Sequence, residues 1–205
     1  DGKMKTFQIL AHPEQSLVEH LLGVSRRAKS LAAHFDGGRH ADLAGLLHDL
    51  GKAEKSFQER IAGKKAEKQP HAHHGAALAL ENQLWPVAFA INGHHAGLHN
   101  SSSLQQIPAK WAIPAGECER KLKGDGDWVE QTWPILEYGR TLPAWLDVVP
   151  FSTASERDTK MRAVDFYTRM IFSALVDADR LDTEEANRAG GSQANVLKRK
   201  AWRFG

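Results

Sequence analysis

The sequence predicts an all-α domain, and three observations carry that prediction. Apolar residues recur at three- and four-residue steps in several long stretches, clearest at Leu17, Leu21, Val24, Ala28, Leu31 and Phe35. Helix-ending residues follow those stretches, as at Asp36-Gly37-Gly38, Gly51 and Gly97. At 205 residues, with 41% hydrophobic and 25% charged residues, the chain has the size and balance of one well-cored domain.

The first helix is expected from Pro13 to Phe35, with Pro13 and Glu14 suiting its first turn. His20 lies at the edge of its apolar stripe and can face inward, whereas His12 and His34 read as surface residues. The next helix, Ala41 to Lys52, reads ADLAGLLHDLGK and organises the rest of the chain. Leu43, Leu46, Leu47 and Leu50 share one side of it, and His48, Asp49 and Lys52 share the other. Ala41 and Gly45 are small enough to leave room for something beside the imidazole and carboxylate. Burying an unpaired carboxylate costs several kcal/mol, so a cation is the economical explanation.

After Lys52 the stretch AEKSFQERIAG suits a short amphipathic helix anchored by Phe57 and Ile61, followed by a charged loop. Pro70 precedes HAHHGAALALENQLW, a helix whose opening turn holds His71, His73 and His74. Charged histidines are poorly placed at a helix start, so neutral, metal-bound imidazoles suit that turn better. WPVAFAINGHH, Trp85 to His95, is a further apolar helix, and its adjacent His94 and His95 can bracket one ion only if the helix loosens there. His99 reads as exposed. Of eleven histidines, six crowd between His71 and His99, which makes a polynuclear metal site the leading expectation.

Between Leu98 and Ser155 the periodicity fades, and five of eight prolines and four of six tryptophans (Trp111, Trp128, Trp133, Trp145) fall there. We read residues 98–155 as a Pro/Trp-rich insertion packed over the core of one domain spanning 1–205. A long helix follows from Glu156 to about Asp182. On its wheel Asp177 falls on the polar arc, while Asp179 falls in the buried one and needs a partner. Asp182 is also inward but sits at the expected fraying end. Residues 184–205 are expected to be a C-terminal tail or linker, with Lys198, Arg199, Lys200 and Arg203 beside Trp202 forming either a phosphate-contacting edge or a solvated helix end.

No apolar run is long enough to span a bilayer and DGKMKTFQIL lacks a secretory h-region, so the expectation is a cytoplasmic protein with no membrane partner. The net charge of +2 is too mild to argue nucleic-acid binding by itself. Cys118 is the single cysteine, which excludes an internal disulfide and a Cys-rich zinc site. Imidazole and carboxylate ligands then favour manganese, nickel, cobalt, iron or zinc.

HDLGK at His48 to Lys52, the upstream helical His20 and the late ADRL at Ala178 to Leu181 resemble the H…HD…D signature of HD-domain metal-dependent phosphohydrolases. More narrowly, SLVEHLLGVSRRA, AGLLHDLGKAEKSFQ, HAHHGA, INGHHAGL and SALVDADRLDTE, in this order, are similar to the HD nuclease domain of CRISPR-associated proteins, which in type I systems is fused to or partnered with a helicase. The resemblance spans nearly the whole chain apart from the insertion. It implies an HD-domain helical bundle holding one or two divalent transition metal ions, with magnesium admitted.

By the same resemblance one ion is bound by His20, His48, Asp49 and Asp179, and a second by Asp49, His71, His94 and His95, with Asp49 bridging. His71 is selected because it stands four residues before a Gly-Ala, and His74 is its alternative. Lys52 is implied to contact the scissile phosphate, and Thr183 matches a small hydroxyl near the metal. The implied activity is nucleolytic cleavage of single-stranded DNA, with RNA as a further substrate, in antiviral defence alongside a helicase domain or subunit and a type I surveillance complex. No GxxxxGK[ST] helicase motif occurs in these 205 residues. The rival readings are a nucleotide phosphohydrolase or cyclic-nucleotide phosphodiesterase, and a non-catalytic nucleotide-binding HD module.

Overall fold

The computed structural model describes residues 9–13, 15–66, 70–100 and 141–189, together with 102, 104, 107, 111, 116–118, 120 and 122. Trp128, Trp133 and the basic C-terminal cluster lie outside the described residues, as does most of the expected insertion.

The chain opens on a small antiparallel hairpin, β1 (Leu10–His12) and β2 (Gln15–Ser16), where the sequence suggested helix from Pro13. Helix α1 (Leu17–Ala32) starts instead behind Ser16. The Ser16 hydroxyl accepts from the Glu19 backbone N–H at 3.2 Å, and the Glu19 carboxylate accepts from the Ser16 N–H at 3.1 Å. This capping box satisfies two N–H groups that the helix itself leaves bare. A 3-10 turn at Ala33–Phe35 and a left-handed Asp36 (φ 55°) then reverse the chain into α2 (Gly38–Leu47).

Helix α2 stops at Leu47 rather than at Gly51. His48 is its C-cap, Asp49 leaves helical geometry (φ −108°, ψ 18°), and Leu50–Ala53 form a 3-10 turn. Two neighbours about 100° apart on an α-helix cannot both face one point, so the break is what aims His48 and Asp49 together. The next elements are α3 (Lys55–Ile61), α4 (Ala72–Glu81) and α5 (Trp85–Gly93), followed after residue 140 by the short α6 (Ala144–Asp147) and the long α7 (Ala154–Ala189). Thr153 and Glu156 exchange hydrogen bonds at the start of α7. The helix does not fray at Asp182 and takes in the start of the expected tail, continuing to Ala189.

Helix α7 crosses α1, α2 and α5, and α4 packs on α5. Its buried stripe is Tyr167, Ile171, Ala174, Leu175, Ala178 and Asp182, an i, i+4, i+7 pattern. Leu181, beside Asp182 in the chain, is 49% exposed. Leu104, Ile107, Trp111, Cys118 and Leu122, from the stretch read as an insertion, are buried in the same core. Among the described residues no helix is long and apolar enough to cross a membrane.

Gly45 and Gly75 set how closely the elements approach. A Cβ on Gly45 would stand 2.5 Å from the Ser25 backbone nitrogen, and one on Gly75 would stand 1.9 Å from the Leu47 carbonyl oxygen. The smallness of Gly45 therefore serves the contact of α1 with α2 rather than a space beside the His48 ring. Gly45→Ala must push two helix backbones apart, and we expect it to lower stability by about 1–3 kcal/mol. Equilibrium denaturation checks this, and an unchanged midpoint would refute the close approach of α1 and α2.

Candidate metal centre

Five elements deliver the site. His20 comes from the first turn of α1, His48 and Asp49 from the broken end of α2, His71 from the residue before α4, His94 and His95 from just beyond α5, and Asp179 from the buried side of α7. Their side chains converge into two groups that share Asp49.

The first group is His20, His48, Asp49 and Asp179. His20 Nε2 lies 3.2 Å from Asp49 Oδ2 and 3.4 Å from Asp179 Oδ1. His48 Nε2 lies 3.3 Å and 3.6 Å from the same two oxygens. In the second group Asp49 Oδ1 lies 3.1 Å from His71 Nε2 and 3.5 Å from His94 Nε2, and His71 Nε2 lies 2.7 Å from His95 Nε2. Ligands bound at about 2.1 Å stand about 3.0 Å apart at right angles and about 3.4 Å apart at tetrahedral angles. The histidine-to-carboxylate spacings of 3.1–3.6 Å lie close to these edges, and the His71–His95 spacing is shorter. Asp49 thus turns one oxygen to each group.

Ring orientation points the same way. His48 Nδ1 donates to the Gly45 carbonyl at 2.9 Å, His94 Nδ1 to the Ile91 carbonyl at 2.7 Å, and His20 Nδ1 to Asp182 Oδ2 at 3.0 Å. With the proton on Nδ1, each Nε2 lone pair aims into the cluster, where it meets carboxylate lone pairs. His48 Nε2, His94 Nε2 and Asp49 Oδ1 are buried and have no hydrogen-bond partner among the described residues. Lone pairs facing lone pairs need a proton or a metal cation between them, and the imidazole and carboxylate donor set fits divalent metal ions.

The electrostatics agree. Burial raises the Asp49 carboxyl, but the His48 imidazole and Lys52 ammonium hold it well below the usual carboxylate range. Burial also opposes ionisation of Asp179, yet its contact with His48 brings it down to about 2. Although burial alone lowers the His48 pKa, Asp49 and Asp179 together raise it to about 10. His95 reaches the surface at one edge, yet partial desolvation of its ring, followed by His94 beside it, lowers it to about 4, so its lone pair is available at neutral pH.

Lys52 Nζ lies 2.7 Å from Asp49 Oδ2, its side chain 8% exposed, and 5.7 Å from the Phe57 ring centroid. Phe57 also packs edge-on against His71, giving α3 a bracing role. Gln58 fixes the lysine's backbone: its amide donates to the Lys52 carbonyl at 2.7 Å and to the Leu10 carbonyl at 2.8 Å.

Of the histidine alternatives, His71 joins the cluster and His74 does not; His74 lies beside Glu54 and Cys118. Thr183 is half-buried next to Asp182 and makes no hydrogen bond to the ligand groups among the described residues. Asp177, His34 and His99 are exposed, as the sequence suggested. His12 is not a surface residue: its ring centroid lies 5.3 Å from that of His20, and burial, followed by the Lys52 charge, lowers its pKa to about 4.

Sequence reasoning undervalued Asp182. Besides His20, it accepts from Gln15 Nε2 at 2.9 Å, and it lies 3.6 Å from Arg27 Nε. Gly23 makes room for it, since a Cβ there would stand 2.1 Å from Asp182 Oδ1. Its inward angle on the α7 wheel was the available signal.

Two measurements test this geometry. Asp182→Ala frees the His20 ring to turn, and we expect metal affinity to fall by about 10–100-fold with helical content unchanged, as read by calorimetric titration and circular dichroism. In the metal-free protein His48 carries a proton below about pH 10. Metal binding at pH 7 must displace that proton, so apparent affinity rises with pH towards 10 and falls below neutrality. Titration in buffers of different ionisation enthalpy should show net proton release; none, or uptake, would contradict the arrangement.

No curated protein matches this chain. The profile of the HD domain matches residues 17–124, more than half of the chain. The matched span holds every ligand of the two groups except Asp179, and it runs on into the stretch read as an insertion. With the His-Asp pair at residues 48 and 49 placed where two ligand groups meet, the chain belongs to the HD domain family of metal-dependent phosphohydrolases.

Proposed function

We propose that this chain is a metal-dependent nuclease that hydrolyses phosphodiester bonds in single-stranded DNA, acting in CRISPR antiviral defence beside a helicase domain or subunit. One observation carries the hydrolytic reading: Asp49 faces a separate ligand group with each carboxylate oxygen. When bound, a pair of ions supplies a water acidified towards neutrality and charge for the attacking and leaving oxygens.

The residues divide the remaining work. Asp49 holds the two halves of the centre in register, and Asp182 and the backbone carbonyls of Gly45 and Ile91 keep the imidazoles aimed. Lys52 holds an ammonium at the cluster, suited to charge growing on phosphoryl oxygens. No further general base is needed.

A polymeric substrate is favoured by the shape of the rim. His95 is exposed and His71 is 19% exposed, so the second group reaches the surface while His20 and His48 stay sealed. A strand can lie across such an edge without entering a closed cavity. The motif series from HDLGK to ADRLDT supports the narrower CRISPR-associated assignment, and with it the helicase and surveillance-complex partners.

Purified protein with manganese or nickel should cut circular single-stranded DNA and leave mononucleotides and cyclic nucleotides intact. Hydrolysis of mononucleotides or cyclic nucleotides with the DNA untouched would give the site to a nucleotide phosphohydrolase or phosphodiesterase instead. Asp49→Ala should lower cleavage by about 10³-fold or more. Wild-type rates in that variant would overturn the reading.

A further inference from the structure

A third convergence of ligand atoms lies outside the two groups that share Asp49. It consists of Glu54, His74 and Cys118, whose donor atoms all stand within 4.8 Å of one another. His74 is 1% exposed and Cys118 is fully buried, while the Glu54 side chain is 24% exposed. His74 Nε2 lies 3.5 Å from Glu54 Oε1, and the Cys118 thiol donates to the same oxygen at 3.6 Å, a proton released to solvent when the sulfur binds a metal as thiolate.

The histidine supplies the independent sign of a ligand. Its Nδ1 donates to the His71 carbonyl at 3.2 Å, which leaves the lone pair on Nε2. That nitrogen is buried, aims at Glu54, and has no hydrogen-bond partner among the described residues. The Trp111 ring packs on His74 with centroids 5.1 Å apart and limits its rotation. An imidazole lone pair and a carboxylate pointing at each other repel unless a proton or a metal ion lies between them.

We propose that Glu54, His74 and Cys118 bind a divalent zinc-like ion, distinct from those of the phosphohydrolase centre, whose role is structural. With Zn–N and Zn–O bonds of about 2.1 Å and a Zn–S bond of about 2.3 Å, tetrahedral geometry puts nitrogen about 3.4 Å and sulfur about 3.6 Å from the carboxylate oxygen. The observed spacings are 3.5 and 3.6 Å. A thiolate, an imidazole and a carboxylate together select zinc or cobalt over magnesium or calcium. Water reaching the exposed edge of Glu54 completes the fourth position.

The placement explains what the ion is for. Glu54 follows the 3-10 turn that carries Lys52, and His74 lies one helical turn after His71. An ion there ties both to residue 118 and stiffens the support of the adjoining centre without touching it.

The test uses the full chain loaded with cobalt(II). Cys118 is the only cysteine, so a thiolate-to-cobalt charge-transfer band in the near ultraviolet reports this site alone. We expect the band in the wild-type protein and in Asp49→Ala, and its loss in Cys118→Ser with one metal equivalent fewer per chain. Glu54→Gln, which keeps the side-chain shape, should weaken the band-forming cobalt about tenfold or more. Absence of the band in the saturated wild-type protein, or its survival in Cys118→Ser, overturns the proposal. Neither result bears on nuclease activity, which is read separately on single-stranded DNA.

Discussion

The buried carboxylate of Asp49 is the constraint from which the rest of the structure follows. It is 1% exposed, lies beside a second acid in Asp179, and has one lysine ammonium against it. Two anions beside a single ammonium in a dry interior is an arrangement of high energy, and it persists when further positive charge completes it, a proton on His48 in the metal-free protein or a metal ion. The imidazoles around it cannot provide that charge while their Nε2 atoms act as lone-pair donors. The demand for cations is therefore built into the packing.

The helix ends meet part of that demand at no extra structural cost. A helix leaves its last carbonyls without internal partners. His48 and His94 stand immediately after α2 and α5, and each turns its Nδ1 back to the carbonyl three residues earlier. Helix termination, ring orientation and choice of tautomer are one event at each place.

Much of this was legible from the sequence because its signals are local. The three- and four-residue spacing in α1 and α7 marks buried faces, and the Asp177–Asp179 contrast on α7 separates the inward acid from the outward one. The end of the helix near His94 and His95 was visible in Gly97, and α5 stops at Gly93. What escaped depends on contacts between distant segments. The hairpin of residues 10–16 is pinned by Gln58, far along the chain, and drew His12 towards the site. Asp182 reads as a fraying end until the helix is seen to run on to Ala189 and Gly23 is seen opposite it. Cys118 looked chemically isolated in one dimension because its neighbours Glu54 and His74 arrive from another part of the fold.

The pairing of His20 with Asp182 spans 162 residues, and Asp179 closes the same cluster from the same helix. Ribosomes emit a chain from its amino end at about 5–20 residues per second, so the histidines of the cluster emerge between roughly 4 and 30 s before the acids of α7. Until then His20 lacks the carboxylate that orients it and one ligand group is incomplete. A site arranged in this order is complete only once α7 has docked.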